Sequence, residues 1–75
     1  MTSGILAMAG KYNVCRTAKQ WRDIAHHLSK QGFKMQAQFI HDTVADAREH
    51  EFFAFPGLDD ANRTVFDLSA KALGH

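Results

Sequence analysis

Five histidines and one cysteine are the residues with the most potential for chemistry in this sequence. Cys15 with His26 or His27 would form a thiolate–imidazole pair, the arrangement found in nucleophilic enzymes. Nothing in the sequence orients either histidine, and no glycine-rich segment follows to build an oxyanion hole. We therefore expect no catalytic residue, and we expect Cys15 to be a buried, inert thiol.

The histidines also raise the question of a metal site. Asp46 and His50 stand four residues apart, a spacing that would place two ligands on one helix face. A zinc site would need further ligands, such as His26, His27 or His41, from a facing helix. Because the sequence has no second ligand pair at close spacing and its cysteine stands alone, we expect scattered surface histidines, no metal and no other cofactor.

Residues 24–28 resemble the first helix of a DNA-binding helix-turn-helix pair. A second helix would then present polar side chains at the end that enters a major groove, where glutamine can pair with adenine. The turn at residues 29–33 is longer than usual and arginines are few, so an ordinary helical hairpin is the competing interpretation. The residues predicted to contact DNA in this alternative are Arg22, Lys30, Lys34, Gln36, Gln38 and His41.

Three phenylalanines, Phe52, Phe53 and Phe55, stand within four residues of one another. One short helix end cannot bury three rings on the same side, so either this segment folds under the helices or some rings are exposed. Exposed aromatic rings beside a rigid turn are typical contact points for another protein. The predicted partner-binding residues are therefore Trp21, Phe52, Phe53 and Phe55, with Phe52 favoured for the partner and the other three favoured for the core.

Length and composition exclude several classes of protein. A chain of 75 residues that is 45% hydrophobic is too apolar to be disordered. A single cysteine excludes an internal disulfide framework and a cysteine-rich zinc site, and it favours a reducing compartment. No apolar run approaches the ~20 residues that cross a bilayer, and residues 5–9 are too short for a signal-peptide core. We expect a cytoplasmic protein with no membrane partner.

Charge is distributed unevenly along the chain. Residues 1–41 hold six cations and one acid, for a charge of +5, whereas residues 42–75 hold three cations and seven acids, for a charge of −4. A basic half can bind an anionic partner such as duplex DNA. Alternatively the halves neutralise each other within one chain, or the basic half of one protomer meets the acidic half of another in a homodimer.

The first helix has the clearest pattern. Thr17 and Gln20 have the spacing of a capping box at its start. Gly32 can adopt the left-handed conformation that ends a helix, and Phe33 and Leu28 then form the apolar pair of a Schellman motif. Apolar residues at three- and four-residue spacing mark the inner face of this helix: Ala18, Trp21, Ile24, Ala25 and Leu28.

Two further helical patterns follow. The second runs from Lys34 to Glu51, and proline then ends it, with Pro56 and Gly57 suited to the centre of a type II turn. Asp59 or Asp60 can cap a third helix that ends at Gly74. The predicted inner face of the second helix is Ala37, Ile40, Val44 and Ala47, widened by Met35 and Phe39. The predicted inner face of the third is Ala61, Val65, Leu68 and Ala72.

These patterns predict an all-α domain of three helices. Residues 1–16 form a partly ordered N-terminal segment, and residues 17–75 form the helical domain, with helices at 17–31, 34–51 and 60–73. A core of this size supplies only ~3–5 kcal/mol, which favours binding over catalysis. We expect a non-enzymatic regulatory or inhibitory module that binds a larger protein or protein complex. The alternatives are a DNA-binding regulator that uses residues 34–41 and a self-associating structural module.

Overall fold

Three helices and one pair of two-residue strands make up the computed structural model, which describes residues 14–75. The elements in chain order are β1 (Arg16–Thr17), α1 (Ala18–Lys30), α2 (Lys34–Thr43), β2 (Phe52–Phe53) and α3 (Asp60–Leu73). This architecture confirms the predicted fold class. Most of the predicted N-terminal segment 1–16 lies outside the described residues. Among residues 14–75, no helix has both the length and the apolar character needed to cross a membrane.

Both ends of α1 are built as the sequence predicts. Gln20 N donates to Thr17 Oγ1 at 3.2 Å and Thr17 N donates to Gln20 Oε1 at 3.0 Å, which completes the capping box. At the other end Gly32 has φ 93°, and Phe33 N donates to Leu28 O at 2.9 Å, as in a Schellman motif. Only residues 31–33 connect α1 to α2, so this turn is shorter than the predicted 29–33.

The second helix ends at Thr43, and the prediction that it continues to residue 51 was wrong. In a longer helix the carbonyls of Val44 and Ala47 would accept hydrogen bonds from residues 48 and 51. Instead Arg22 Nη2 on α1 donates to both carbonyls at 2.8 Å. Arg48 N donates to the Glu51 side chain at 3.1 Å rather than to a helical carbonyl. A long-range arginine contact therefore replaces two helical turns with an irregular connection.

Trp21 lies at the centre of the core. Its indole Nε1 donates to Phe53 O at 2.8 Å, which ties α1 to β2. Its ring centroid lies 4.6 Å from that of Phe55 in a T-shaped arrangement and 5.9 Å from that of Phe66. The buried hydrophobic residues are Ala18, Trp21, Ile24, Ala25, Leu28, Ala37, Ile40, Val44, Phe55, Phe66 and Ala70.

The third helix buries a different face from the one predicted. Leu68 is 63% exposed, whereas Phe66, Ser69 and Ala70 are buried. The inner face was missed because it includes a polar residue, Ser69, whose hydroxyl lies 3.1 Å from His27 Nδ1 and so has a partner inside the fold. The predicted face of Ala61, Val65, Leu68 and Ala72 was therefore wrong, since only Val65 is partly buried against the core.

The predicted ends of α3 are present, but the turn before it differs. Asp59 is the N-cap and its Oδ1 accepts from Asn62 N at 2.9 Å, and Gly74 has φ 79°. In the preceding turn Leu58 N donates to Phe55 O at 3.3 Å. Gly57 is not among the residues with positive φ, so the type II assignment was wrong. Proline at the second turn position is common in both type I and type II turns, and the glycine that follows it permits type II without requiring it.

Gly32→Ala should destabilise the domain while Gly57→Ala should not. A Cβ at either position would meet nothing within 4 Å, so only the backbone conformation distinguishes the two glycines. Because φ is 93° at Gly32, alanine there is expected to lower the free energy of unfolding by about 1–2 kcal/mol. Alanine at position 57 should be neutral or stabilising by about 0.5 kcal/mol. Urea denaturation measures both, and equal losses would contradict this assignment of the turn and cap.

Candidate functional site

The structure separates the four predicted partner-binding aromatic residues. Trp21 is 0% exposed and Phe55 is 5% exposed, so neither presents a surface to a partner, and their assignment to a binding site is corrected. Phe53 is partly buried against the core. Phe52 is 69% exposed, because neighbouring residues of a strand point to opposite sides and Phe53 takes the inner side. Only Phe52 is available at the surface in the manner that the sequence suggests.

Three of the residues predicted to contact DNA make contacts within the chain. Arg22 binds the carbonyls that follow α2, as described above. Gln36 Nε2 donates to Asn62 Oδ1 at 3.3 Å, and Gln38 Nε2 donates to Asp42 Oδ1 at 2.7 Å. Arg22 thus has a structural contact, and its assignment to DNA binding stays a prediction. Lys30, Lys34 and His41 are exposed.

Arg22→Met should destabilise the fold, which separates a structural role from a phosphate-binding role. The substitution keeps the aliphatic stem but removes the donor for two backbone carbonyls. We expect the free energy of unfolding to fall by about 1.5–3 kcal/mol, the range for hydrogen bonds to a charged group. Lys30→Met, at an exposed position, is the matched control and should change stability little. An unaltered urea midpoint for the Arg22 variant would show that the connection after α2 does not depend on this side chain.

The outer side of α2 carries large apolar side chains. Met35 is 83% exposed and Phe39 is 50% exposed, although Ala37 and Ile40 on the inner side are buried. The prediction that Met35 and Phe39 widen the inner face was therefore wrong. Residues 35 and 39 are four apart and form one short stripe along the helix.

This stripe borders an open trough between α2 and the segment that leads into α3. One hollow of about 350 Å³ lies beside Met35 and Asn62, and a second of about 310 Å³ lies beside Pro56. Both hollows are lined by Phe39, Gly57 and Leu58, so they adjoin one another, and we call the two together the α2 trough. Its principal lining residues are Met35, Phe39, Pro56, Gly57, Leu58 and Asn62.

Contacts across and behind the α2 trough fix its shape. Phe39 lies 5.5 Å from Phe55 between ring centroids, and Phe66 of the core forms part of the wall. The hydrogen bond between Gln36 and Asn62 joins α2 to α3 at one end. On the opposite wall Arg63 Nε donates to Leu58 O at 3.2 Å. The trough is therefore preformed, which lowers the entropic cost of binding a partner.

Charged groups of both signs border the α2 trough. Asp59 lines it, and Arg63 lies on the wall beside Leu58. Asp60 Oδ1 lies 3.6 Å from Arg63 Nη1. On α2 the exposed Lys34 precedes Met35, and the exposed Asp42 follows the stripe of Met35 and Phe39.

The other candidate catalytic and metal-binding residues are less well placed for chemistry. Ser69 Oγ lies near His27 Nδ1, but Ser69 is 4% exposed, so its hydroxyl cannot reach a substrate. Cys15 is exposed, contrary to the predicted buried thiol. Asp46 and His50 lie beyond the end of α2, so the helical spacing proposed for a metal pair does not exist. Within residues 14–75, no three side chains of metal-ligating type converge.

Sequence reasoning missed Met35 and Phe39 as surface residues, although a signal was present. A helix turns by about 100° per residue, so these two side chains point away from the arc that holds Ala37, Ile40 and Val44. An apolar arc that wide cannot be buried against one neighbouring helix. The width of the pattern, rather than its period, was the informative feature.

The α2 trough thus combines exposed apolar side chains with a depression whose walls are held by contacts within the chain. Comparison with known proteins adds no further identification. No protein-family model, no curated protein sequence and no solved structure matches this chain.

Proposed function

We propose that this chain is a non-enzymatic regulatory or inhibitory module that binds a larger protein through the α2 trough. The observation that carries the proposal is the exposure of Met35 and Phe39, at 83% and 50%, on a helix whose other side is fully packed. A domain with so small a core gains stability from each apolar side chain that it buries. Two large side chains left in water beside a depression are typical of a surface that a partner covers.

The nature of the exposed side chains supports a protein partner. Methionine is flexible and polarisable and adapts to irregular partner surfaces, while a phenylalanine held by its neighbours acts as a rigid anchor. The ring of Phe39 contacts Phe55 at its back and leaves half of its surface open. Binding would bury this remaining surface without requiring the domain to rearrange.

The side chains that line the trough bear on a non-enzymatic function, and Cys15 bears on the compartment. The two lining residues of catalytic type, Thr43 and Asp59, make structural contacts. Thr43 Oγ1 donates to Phe39 O at 2.8 Å, and Asp59 Oδ1 accepts from Asn62 N at 2.9 Å. One exposed cysteine in a chain without an internal partner fits a reducing compartment, for which we propose the cytoplasm.

Capture from a native lysate with nuclease treatment tests the proposal. The immobilised full chain should retain one principal protein after nuclease, and the double variant Met35→Ser, Phe39→Ser should retain at least about tenfold less. Met35 is almost fully exposed, but Phe39 packs half of its surface against Phe55, so the variant should lose about 1 kcal/mol and still be folded, which thermal melting checks. Phe52→Ser is the matched control. Retention that depends on Phe52 and not on the two α2 residues would place the binding site on β2 and contradict the proposal.

Duplex DNA remains a second candidate because of one observation on α2. The three-residue connection after α1 is as short as in helix-turn-helix proteins, and Lys34, Gln38 and His41 follow one line of the exposed surface of α2. If DNA is the partner, affinity for duplex should fall steeply with salt, and Gln38→Ala should remove sequence preference without loss of stability. Absence of duplex binding at low salt would eliminate this candidate.

A further inference from the structure

The outward side of α3 carries a stripe of apolar side chains that the fold leaves at the surface. Ala61, Leu68 and Ala72 are exposed, and Val65 is only partly buried. From the spacing of this stripe and the charges beside it, we propose that two copies of the chain associate through α3, side by side and in opposite directions. The stripe shares no residue with the lining of the α2 trough, so the inference is independent of the proposed function.

The spacing of the stripe is the same when it is read in either direction along the helix. Its successive members are four, three and four residues apart. In an antiparallel pair with its twofold axis between residues 66 and 67, Ala61 therefore lies level with the partner's Ala72, and Val65 lies level with the partner's Leu68. A twofold interface must be self-complementary, because both copies present the same patch. Small residues at the ends let the helices approach, and the larger pair fills the centre.

The charges that flank the stripe favour the antiparallel direction. Asp60 lies in the first turn of α3 and Lys71 in the last, and both are exposed on the same side of the stripe. An antiparallel pair brings each lysine close to the partner's Asp60, whereas a parallel pair would oppose like charges. Asp60 already has Arg63 at 3.6 Å, but its side chain is 96% exposed and can accept a second cation. Asp67, on the same side, lies 4.0 Å from Arg16 of its own chain.

A hollow beside the stripe enlarges the surface that a second helix would cover. It measures about 180 Å³, lies between α3 and the end of α1, and is lined in part by Val65, Leu68 and Phe33. The ring of Phe33 is 39% exposed. The contact is nevertheless short, because the 14 residues of α3 span about 21 Å. We therefore expect a weak dimer at the low end of interface sizes, with a dissociation constant of about 10–100 µM.

Sedimentation equilibrium of the full chain, with a reductant to keep Cys15 reduced, tests the inference. The average mass should rise from the 8.4 kDa of one chain towards that of two as the concentration reaches about 500 µM. Leu68→Asp places a charge at the centre of the interface and should weaken association at least about tenfold. The variant Met35→Ser, Phe39→Ser should associate as the wild type does. Thermal melting shows that each variant is folded before the masses are compared.

Three sedimentation results would overturn the inference. The first is a wild-type chain that stays monomeric at about 500 µM. The second is a dimer that forms equally well with Leu68→Asp. The third is a dimer that is lost in the Met35→Ser, Phe39→Ser variant, since this result would place the contact in the α2 trough.

Charge exchange tests the direction of the pairing. Lys71→Glu opposes two acids in the antiparallel dimer and should weaken association about threefold to tenfold at low salt. Adding Asp60→Lys to this variant exchanges the two signs and should restore association, with a smaller difference at high salt. Association that is unchanged by Lys71→Glu, or that the second substitution fails to restore, would contradict the antiparallel pairing.

Disulfide crosslinking in a Cys15→Ser background gives the direction independently. In the antiparallel pair position 61 lies opposite position 72, whereas the two copies of position 61 are about 16 Å apart along the helix axis, too far for a disulfide. Ala61→Cys and Ala72→Cys should therefore crosslink when the two variants are mixed and not when either is oxidised alone. Crosslinking of each variant with itself, or no crosslink in the mixture, would overturn the inference.

Discussion

Trp21→Ala is expected to leave the chain largely unfolded at room temperature. The ring is 0% exposed, and the substitution would delete its contacts with Phe55 and Phe66 and its hydrogen bond to Phe53 O. It would also remove the ring on which the Arg16 guanidinium stacks, 4.9 Å from the ring centroid. Replacing a buried aromatic residue by alanine costs about 3–5 kcal/mol. A domain of this size has only ~3–5 kcal/mol in total.

Phe52→Ala is the matched control for Trp21→Ala. Phe52 is also aromatic but is 69% exposed, so its removal should change the free energy of unfolding by no more than about 0.5 kcal/mol. Circular dichroism of both variants at 25 °C, followed by thermal melting, makes the comparison. A cooperative melting transition near the wild-type temperature for Trp21→Ala would show that the core does not depend on this ring.

Phe66→Ala should have the second-largest effect, again about 3–5 kcal/mol. Phe66 is 0% exposed, contacts the rings of Trp21 and Phe55, and forms part of the wall of the α2 trough. A loss of this size would deform the trough together with the core. Urea denaturation, with a stabilising osmolyte if the variant unfolds in buffer alone, gives the change in stability.

Leu68→Ala tests the orientation of α3 by comparison with Phe66→Ala. The sequence pattern assigned Leu68 to the inner face, but the structure leaves it 63% exposed. We therefore expect a loss within about 0.5 kcal/mol. If Leu68→Ala proved more damaging than Phe66→Ala, α3 would have to be rotated and the wall of the α2 trough would be different.

The first helix could be predicted almost completely from sequence because local interactions define it. Thr17 and Gln20 are three residues apart, and Gly32 and Phe33 contact the last turn directly. Its inner face is wholly apolar, so the period of the pattern gives the correct orientation. Local residues therefore predict where α1 begins, where it ends and which side it buries. Distant ones add to its start, since Ala18 N donates to Glu51 O at 2.7 Å and Lys19 N donates to Glu49 O at 3.1 Å.

The second and third helices depended on contacts that are distant in sequence. Arg22 donates hydrogen bonds to two carbonyls that follow α2 and lie more than twenty residues away in sequence. No local sequence pattern indicates this contact. On α3 the serine at position 69 is buried because His27, forty-two residues earlier, supplies its hydrogen-bond partner. Patterns that treat polar residues as outward-facing fail at such a position.

The candidate site was predictable only in part. The exposure of Phe52 followed from the crowding of three rings in four residues. The α2 trough did not, because it requires the segment around Leu58 to pack opposite Phe39 while Phe55 folds inward. That arrangement joins residues from two separate elements and cannot be derived from the spacing within either.

Photo-crosslinking from position 39 tests the central proposal, a protein bound in the α2 trough, most directly. Benzoylphenylalanine in place of Phe39 preserves an aromatic ring, and the same residue in place of Phe52 serves as the comparison. After irradiation in native lysate treated with nuclease, we expect one discrete protein adduct from position 39 and little or none from position 52. An adduct from position 52 alone, or captured partner with no adduct from position 39, would contradict a protein bound in the trough.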